Sequence, residues 1–410
     1  MLNLKALSHD QTSTMHTITS PSTHFFGVKS ISLRSFRNFD TFDHTLHSQS
    51  ILLVAPNGSG KTNILEALSL FSPGKGLRQA SFKDMQHQSH SPVPSNISPW
   101  QVGISLSLSH HNTWEDDIYL GTTLKTEGAQ EKRLVKHNGT PLKQHSLLTD
   151  YVSVVWFIPT MGHLFLESGS TQRQFLDRLV FSKDPHHAKR RSAYDKVLRE
   201  RNKILSDYGP ISHGVWLDTL EDHLAGLSID IVHARSLFIK DLMEHQNTCH
   251  AFPKFTCSME GEAETLVADH PTRQSAHDAL KEEFAKRRKQ DSIRRGTSLG
   301  PHRGTFLVKH LGKNQQASLC STGEQKILVL AILLATLRSC SHAQSTHNPG
   351  LLLLLDDVFD HLDSQHRHVL LKEIAKFMAH SPLQLWMTSA NAIDFQGIED
   401  FLSAPQWIDL

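Results

Sequence analysis

The amino-acid sequence predicts an α/β fold that combines a parallel sheet, an antiparallel β subdomain and an inserted helical arm. Apolar runs at residues 51–54 and 351–355 each suit a strand buried in a parallel sheet. Residues 102–108 alternate apolar with polar side chains, which predicts a strand with one buried face, and Asn138-Gly139 predicts a hairpin turn. Residues 171–290 have helical spacing instead. The predicted units are an N-terminal extension at residues 1–27, a first sheet-containing part at 28–165, the helical arm at 166–292 and a second sheet-containing part at 293–410. We call the two sheet-containing parts together the head.

Composition narrows the possible environments of the protein. The net charge is +1, so any contact with nucleic acid must come from local basic patches. No apolar run reaches 18 residues, which argues against a membrane span. The first 27 residues are rich in Ser, Thr and His and lack the apolar segment of a secretory signal, so we expect a disordered extension and a cytoplasmic protein.

Cysteine and histidine usage gives no clear metal site. The sequence has four cysteines, Cys249, Cys257, Cys320 and Cys340. They lack metal-ligand spacing and any secretory context, so reduced thiols are expected. The 29 histidines scatter along the chain. Compositional drift is the favoured interpretation of them, with a metal site as the alternative. Residues 86–99 carry three prolines and predict an exposed loop.

The segment ILLVAPNGSGKTNILEAL, residues 51–68, predicts a strand, a phosphate-binding loop and a helix. Gly58 and Gly60 let backbone N–H groups point at a triphosphate, Lys61 reaches the outer phosphates, and the Thr62 hydroxyl is a ligand for Mg²⁺. The alternative is a glycine-rich strand-to-helix turn with an incidental lysine. The predicted ATP-binding residues of this loop are Asn57, Gly58, Ser59, Gly60, Lys61, Thr62 and Asn63.

A second motif, LLLLLDDVFDHLD at residues 351–363, predicts a buried strand that ends in two carboxylates. Parallel sheets bind ligands at the carboxyl ends of their strands, so Asp356 is the predicted magnesium partner. Asp357 lies where a general base or water-positioning carboxylate is needed for attack on the γ-phosphate. A leucine run before Asp is a weak signal alone, but the upstream loop makes it strong. Lys61 and Asp357 are the predicted catalytic residues.

The turn CSTGEQK at residues 320–326 precedes a long apolar helix. Ser321 with Glu324 three residues later predicts a capping box, which is a sufficient structural reason for both residues. The alternative is that the turn binds the γ-phosphate of a nucleotide held by a second molecule, as in ATP-binding-cassette proteins. Motif order favours this alternative. The predicted contact residues are Ser321, Thr322, Gly323 and Glu324.

Apolar stripes predict helices in the middle of the chain. Apolar residues from Leu217 to Phe238 repeat at steps of three and four over about three heptads, so a short helical hairpin is favoured over a long rod. A further helix, residues 275–290, ends in a basic run. Such a run is usually a solvated face, and a DNA contact is the alternative. The residues concerned are Lys286, Arg287, Arg288, Lys289, Arg294 and Arg295.

The motif order resembles the ABC-type ATPase heads of structural-maintenance-of-chromosomes proteins. Lys61 and Ser321 are only 260 residues apart, too few for the long coiled coils of such proteins but suited to the compact arm of the RecF family of bacterial recombination mediators. The resemblance spans roughly residue 28 to the C-terminus. The similar segments are ISLRSFRNFD at 31–40, GKTNILEALSLFSPGKGLRQASF at 60–82, RQFLDRLVF at 173–181, VLRERNKIL at 197–205 and TSLGPHRG at 297–304.

Three residues depart from the pattern of that family. Ala55 replaces the first glycine of the phosphate loop, which costs little where φ is negative. Thr322 stands where a smaller residue is usual, and Gly304 stands where an acidic residue normally follows GPHR. The N-terminal extension and the proline-rich loop have no counterpart in the family.

The resemblance implies an ATP-dependent homodimer that holds two ATP molecules with Mg²⁺. Lys61, Thr62 and Asp356 of one subunit would face Ser321 and Gly323 of the other. The dimer would bind DNA near junctions of double and single strands, hydrolyse ATP slowly and help to load recombinase together with RecR and RecO. The resemblance also implies a D-loop at Asp360, Leu362 and Asp363, and a place near the nucleotide for Arg34, Arg37 and Asn38, whose alternative role is surface charge.

Two other classes of function stay open. A transporter cassette is disfavoured because Asp357 stands in place of the usual glutamate, because the arm is helical, and because Thr388 and Ser389 stand where a switch histidine is expected. A nucleotide-gated structural clamp with negligible turnover is the other alternative, and the rate of hydrolysis with and without DNA would discriminate it from a working ATPase.

Overall fold

The computed structural model describes residues 26–87, 98–110, 113–114, 117–127, 130–211, 213–246, 251–341, 350–360 and 362–410. Most of the predicted extension and residues 88–97 of the predicted proline-rich loop lie outside these ranges. Within them, two sheets share one hydrophobic core, and a third small sheet joins them to a helical arm. No helix in the part of the chain that the structure describes is long and apolar enough to cross a membrane.

An antiparallel sheet forms the outer layer of the head. Its strands are β1 (Phe26–Phe36), β2 (Phe39–Thr45), β4 (Gln101–His110), β5 (Thr113–Trp114), β6 (Ile118–Glu127), β7 (Gln130–His137) and β8 (Thr140–Pro141). Their order is β2-β1-β4-β6-β7-β8, with β5 paired to β4. The alternation predicted on β4 is confirmed, since Val102, Ile104 and Leu106 are buried. The sheet begins at Phe26, two residues before the predicted start of the head.

The predicted hairpin at Asn138-Gly139 is confirmed. These two residues have φ angles of 46° and 79°, and they connect His137 to its antiparallel partner Thr140. Two consecutive positive φ angles define the tight turn that matches the twist of paired strands, and glycine adopts such a conformation without a steric cost.

A parallel sheet forms the centre of the head. Its strands are β3 (Ser50–Val54), β9 (Val152–Phe157), β13 (Gly350–Leu355), β14 (Leu383–Ser389) and β15 (Gln406–Asp409), in the order β15-β3-β14-β13-β9. Every residue of β9, β13 and β14 is buried, and for β13 this agrees with the apolar run predicted at residues 351–355. Its helices are α1 (Lys61–Ser69), α8 (Thr322–Ser341) and α9 (Ser364–Met378). Strands that precede and follow the arm in sequence are neighbours in this sheet, so the two parts of the head form one structural unit.

The arm consists mainly of helices α2 (Gly169–Phe181), α3 (His186–Tyr208), α4 (Gly214–Glu244), α5 (Glu262–Asp269), α6 (Arg273–Lys286) and α7 (Arg288–Arg294). Helices α3 and α4 pack together as the predicted hairpin, with Leu217, Leu220, Leu224, Ile231 and Phe238 buried. The helical pattern predicted up to residue 290 missed one strand, β10 (Phe255–Glu260), which pairs with β11 (Thr305–His310), and β11 pairs with β12 (Gln315–Gln316). Strand β10 was missed because its partner lies about 50 residues further along the chain, so only tertiary pairing defines it.

Candidate nucleotide site

The loop between β3 and α1 has the backbone that a phosphate-binding loop requires. Gly58 and Gly60 have φ angles of 87° and 111°, where side chains are strained. A Cβ at Gly60 would also lie 2.4 Å from Asn38 Nδ2, so only glycine fits there. No side chain caps the start of α1, which leaves the positive end of the helix facing the loop. Buried Lys61 bends over the loop and donates to the carbonyl oxygen of Ala55 at 2.6 Å.

Three oxygen-bearing side chains meet at the carboxyl ends of the central strands. Strand β14 lies between β3 and β13, so Thr388 at the end of β14 lies beside both motifs. Thr62 donates from Oγ1 to the Asp356 carboxylate at 2.9 Å, and Thr388 donates from Oγ1 to the same carboxylate at 2.8 Å. A hydroxyl and a carboxylate are the hard oxygen ligands that Mg²⁺ prefers, so Thr62 and Asp356 fit the predicted metal site. Mg²⁺ bound there would neutralise phosphate charge.

Asp357 occupies a strained and partly buried position next to this group. Its φ angle of 40° lies in the left-handed region, and its backbone N–H donates to Thr388 Oγ1 at 2.9 Å. Burial raises the pKa of Asp357, and Lys61 opposes that shift. Burial likewise raises the pKa of Asp356, against hydrogen bonds from Thr388 and Thr62. Thr388 bonds to both aspartates, and the general-base role of Asp357 stays a prediction.

A buried carboxylate under the phosphate loop was missed by the sequence analysis. Glu66 on α1 has no exposed side-chain surface, and it accepts from Arg37 Nε at 2.8 Å and from Arg37 Nη2 at 2.6 Å. Arg78 contacts the same carboxylate at 3.2 Å and donates to Asn63 Oδ1 at 2.6 Å. Asn38 donates to the carbonyl oxygen of Ser59 at 2.8 Å. Asn38 therefore touches the loop, whereas the Arg37 guanidinium is occupied by Glu66.

The signal for this cluster was present in the sequence. Glu66 falls on the apolar face of a helix, between Leu65 and Ala67, and an acidic residue placed there requires a buried cationic partner. Its distance along the chain from Arg37 gave no indication of the pairing. Thr388 was considered only as a position that lacks a switch histidine, and its bonds to both aspartates were not foreseen.

The turn before α8 forms the predicted capping box. Ser321 N donates to Glu324 Oε2 at 2.9 Å, and Glu324 N donates to Ser321 Oγ at 3.4 Å. An ion pair with Lys313 and hydrogen bonds from Ser321 hold the pKa of Glu324 at about 2. Ser321, Thr322 and Gly323 are exposed. The capping interpretation is confirmed, and the contact with a second molecule stays a prediction for three residues that face solvent.

The predicted D-loop is bonded to the helix that follows this turn. Buried Lys326 on α8 donates from Nζ to the carbonyl oxygen of Asp360, and burial lowers the pKa of this lysine. Leu362 is buried. Asp363 caps α9 by accepting from His366 N at 2.8 Å. The bond from Lys326 connects the exposed turn with the segment after the two aspartates within one subunit.

The basic run that was predicted to contact DNA divides into two groups. Lys286 pairs with Glu282 at 2.9 Å and with Glu283 at 3.0 Å. Arg287 pairs with Glu262, and Arg288 pairs with the fully buried Glu221. The remaining residues, Lys289, Arg294 and Arg295, are exposed. The first three side chains are thus held by acidic residues of the arm, and the DNA role stays a prediction for the whole run.

The described residues hold no group of three or more His, Cys, Asp or Glu side chains that could bind a metal ion. Cys257, Cys320 and Cys340 are free thiols, and Cys249 lies outside the described residues. The oxygen atoms of Thr62 and Asp356 therefore remain the candidate for a cation in this part of the chain.

A phosphate loop, a strand ending in two aspartates and a capped glycine-containing turn, all on one parallel sheet with an antiparallel subdomain, define an ATPase head of the ABC type. The sequence profile of the RecF/RecN/SMC N terminal domain matches residues 27–404. The protein named DNA replication and repair protein RecF is 33% identical over 386 residues in Rickettsia canadensis, covering 93% of this chain and 99% of the relative. The protein of the same name in Agrobacterium fabrum is 34% identical over 388 residues, covering 92% and 95%.

The chain belongs to the RecF family, whose members are ATP-binding proteins of DNA replication, recombination and repair. Solved structures agree on the fold. The recombination mediator protein RecF with ATPrS, from the RecFOR pathway, superposes with a TM-score of 0.72 at 20% identity and covers 95% of this chain and 97% of its own. The same mediator with ATP gives a TM-score of 0.72 over 92% and 96% of the two chains.

Proposed function

We propose that this protein is an ATP-dependent, DNA-binding recombination mediator that closes into a homodimer around two ATP molecules. The observation that carries the proposal is the separation of roles within one subunit. Lys61, Thr62 and Asp356 gather at one site, whereas Ser321 and Gly323 face solvent at the start of α8. An exposed backbone turn at a helix N-terminus can bind the γ-phosphate of a nucleotide held by a second subunit.

The proposed cycle uses the residues of the site in fixed roles. Lys61 and the N-terminus of α1 bind the phosphates, and Thr62 and Asp356 hold Mg²⁺. Asp357 positions the attacking water and accepts its proton, in a slow hydrolysis that DNA stimulates. The bond from Lys326 to Asp360 supports a coupling between the two composite sites, because each subunit then links its exposed turn to the segment that follows its own aspartates.

The proposed DNA substrate is a junction between double-stranded and single-stranded DNA, where the dimer promotes recombinase loading. The support is the family, since the related solved structure is of a recombination mediator of the RecFOR pathway. RecR and RecO are the proposed partners, and the cytoplasm is the proposed location. ATP-driven closure without turnover would make the protein a structural clamp, which an assay of phosphate release with and without DNA separates from this proposal.

The decisive test mixes two variants that fail for different reasons. Lys61→Met should lose ATP binding, and with it dimer closure, because the ammonium group that contacts the outer phosphates is removed. Ser321→Arg should keep ATP binding by the monomer and block closure. In a mixed dimer, one composite site carries both changes and the other carries neither, so ATP-dependent dimer and hydrolysis should partly return. Size-exclusion mobility with ATP, with ADP and without nucleotide measures closure.

A matched control uses Lys372→Glu, which changes an exposed charge on α9 away from the site. It should close like the parent protein. If Ser321→Arg already prevents ATP binding by the monomer, the turn acts within its own subunit and the shared-site dimer is wrong. If Lys61→Met keeps the parental affinity for ATP, the nucleotide site itself is wrong.

A further inference from the structure

A cleft lies just beyond the C-terminal end of α1, between the head and the arm. It has a volume of about 950 Å³ and is lined by residues 72–75, by residues 143–146 and by helices α2 and α3. Helix α1 has nine residues, so its two ends lie roughly 13 Å apart, and the cleft is separate from the phosphate loop at Gly60. Lys75, Lys143 and Arg199 are exposed at its rim.

The floor of this cleft presents buried donors without acceptors. Arg178 is 8% exposed, and its guanidinium lies 3.8 Å from the centroid of the Trp156 ring. Neither Nε nor Nη2 of Arg178 has a hydrogen-bond partner among the described residues. The same holds for Trp156 Nε1 and for Arg191 Nη1. All four atoms are N–H donors, so a ligand that satisfies them must be an acceptor.

The acidic residues of the cleft, Asp177 and Asp195, are already paired. Arg191 contacts Asp177 from Nε at 3.2 Å and Asp195 from Nη2 at 3.3 Å, so its Nη1 is the nitrogen without an acceptor among the described residues. Asp177 accepts two bonds from Arg235, at 2.8 and 2.9 Å, and one from His187 at 2.9 Å. Burial alone would raise the pKa of Asp177, but Arg235 and His187 outweigh it and hold this pKa below its usual range. Burial lowers the pKa of Arg178 to about 9, and no carboxylate offsets this effect. The Arg178 charge is therefore compensated neither by Asp177 nor by solvent.

We propose that this cleft binds a phosphate-bearing anion, which accepts hydrogen bonds from Arg178, Trp156 and Arg191 while Lys75 and Lys143 contact its outer charge. Several cations around buried donors favour a multiply charged acceptor over a single carboxylate. The volume is within the range of pockets that hold a ligand of nucleotide size. The phosphates can come from a nucleic-acid strand or from a free polyphosphate. The inference does not depend on the proposed ATP cycle, since none of these residues belongs to the nucleotide site.

The test uses the full chain with Lys61→Met, so that the phosphate loop does not contribute to anion binding. The probes are inorganic pyrophosphate and an unphosphorylated single-stranded oligothymidine, and their affinities are measured by calorimetry. In parallel, nitrogen-15 labelling of the tryptophans gives six indole resonances from six Trp residues. The indole resonance that disappears in Trp156→Phe should shift when the ligand binds, because its N–H gains an acceptor.

Arg178→Met should weaken binding of the recognised probe at least tenfold and abolish that indole shift. Because Arg178 is buried, Lys75→Glu together with Lys143→Glu provides a second variant that changes only exposed side chains, and it should also weaken binding at least tenfold. Lys372→Glu is the control for an exposed charge reversal outside the cleft and should bind like the parent. If the oligonucleotide alone shifts the resonance, or if both probes shift it and compete with each other, the ligand is a nucleic-acid strand. If pyrophosphate alone shifts the resonance, the ligand is a free polyphosphate. The proposal is overturned if neither probe moves the resonance or if the rim variant binds like its parent.

Discussion

A buried arginine in the interior of the arm and a buried arginine in the cleft beside it differ in their hydrogen-bond acceptors. Arg201 on α3 is fully buried, and it donates to Glu221 at 3.0 Å, to Asp291 at 2.8 Å and to the carbonyl oxygen of Phe284 at 2.8 Å. Arg178 on α2 is almost as deeply buried, yet two of its donor nitrogens have no acceptor in the described chain. Burial alone therefore does not distinguish a structural arginine from one that is available to a ligand. The set of acceptors around the guanidinium does.

The head repeats this contrast at shorter range. Glu66 is paired with Arg37 and Arg78, whereas the hydrogen bonds of Lys61 and Asp357 within the described part of the chain go to backbone atoms and to Thr388. Glu66 therefore has a structural role. Lys61 and Asp357 bond to neutral groups, so their charges remain available to bind a substrate.

Replacing Arg201 should destabilise the protein more than any other change considered below. Arg201→Met leaves Glu221 and Asp291 buried without this partner, so the free energy of unfolding should fall by about 3–5 kcal/mol. Arg178→Met removes a buried charge that has no acidic partner, so the free energy of unfolding should change by no more than about 1 kcal/mol. Urea unfolding of the two variants, followed by far-ultraviolet circular dichroism, measures both. Equal losses would show that Arg178 is as structural as Arg201.

Features that depend on a few contiguous residues could be predicted from the sequence. The phosphate loop, the capping box at Ser321 and the hairpin at Asn138-Gly139 each depend on a few neighbouring residues with fixed backbone requirements. The parallel sheet was predicted from uninterrupted apolar runs. Pairings such as Arg37 with Glu66, or Thr388 with Asp356, join residues 29 and 32 positions apart. Nothing local to either residue encodes them, and strand β10 was missed for the same reason.

The second effect concerns hydrolysis in the head. Asp357→Asn should lower the rate of ATP hydrolysis by about 10²–10⁴-fold while ATP affinity stays within a factor of about three, because only proton acceptance is lost. Phosphate release under single-turnover conditions and equilibrium binding of a fluorescent ATP analogue measure the two quantities. A parental rate would remove Asp357 from the mechanism. Lys372→Glu again serves as the variant that should behave like the parent.

A smaller effect is expected at Gly304, where the family resemblance predicted an acidic residue. A Cβ on Gly304 would lie 2.5 Å from Oε1 of Glu264, a buried carboxylate whose pKa is raised by burial. Gly304→Asp should therefore destabilise the protein by about 1–3 kcal/mol through crowding and repulsion between two carboxylates. The loss should grow as the pH rises, because ionisation of Glu264, whose pKa is raised by burial, adds repulsion between the two carboxylates.

Replacing Glu264 tests whether that carboxylate is the cause. In the double variant Gly304→Asp with Glu264→Ala, most of the lost stability should return, which a double-mutant cycle of unfolding free energies measures. Additive losses would mean that Glu264 and position 304 do not interact. A recovered double variant would show that Glu264 occupies the space that an acidic side chain at position 304 needs.

The smallest expected effect concerns the basic residues at the surface of the arm. Lys289, Arg294 and Arg295 are exposed and have no ion pair with a described residue, whereas Lys286 and Arg287 pair with glutamates of the arm. Changing the first three to Glu should reduce the slope of log affinity against log salt for duplex DNA by about one unit for each lost phosphate contact. Changing Lys286 and Arg287 to Gln should leave the slope unchanged, because both charges are already paired with glutamates of the arm. Fluorescence anisotropy at several salt concentrations gives both slopes. If the triple variant keeps the parental slope, the run is a solvated helix face, and the DNA must contact a different surface of the protein.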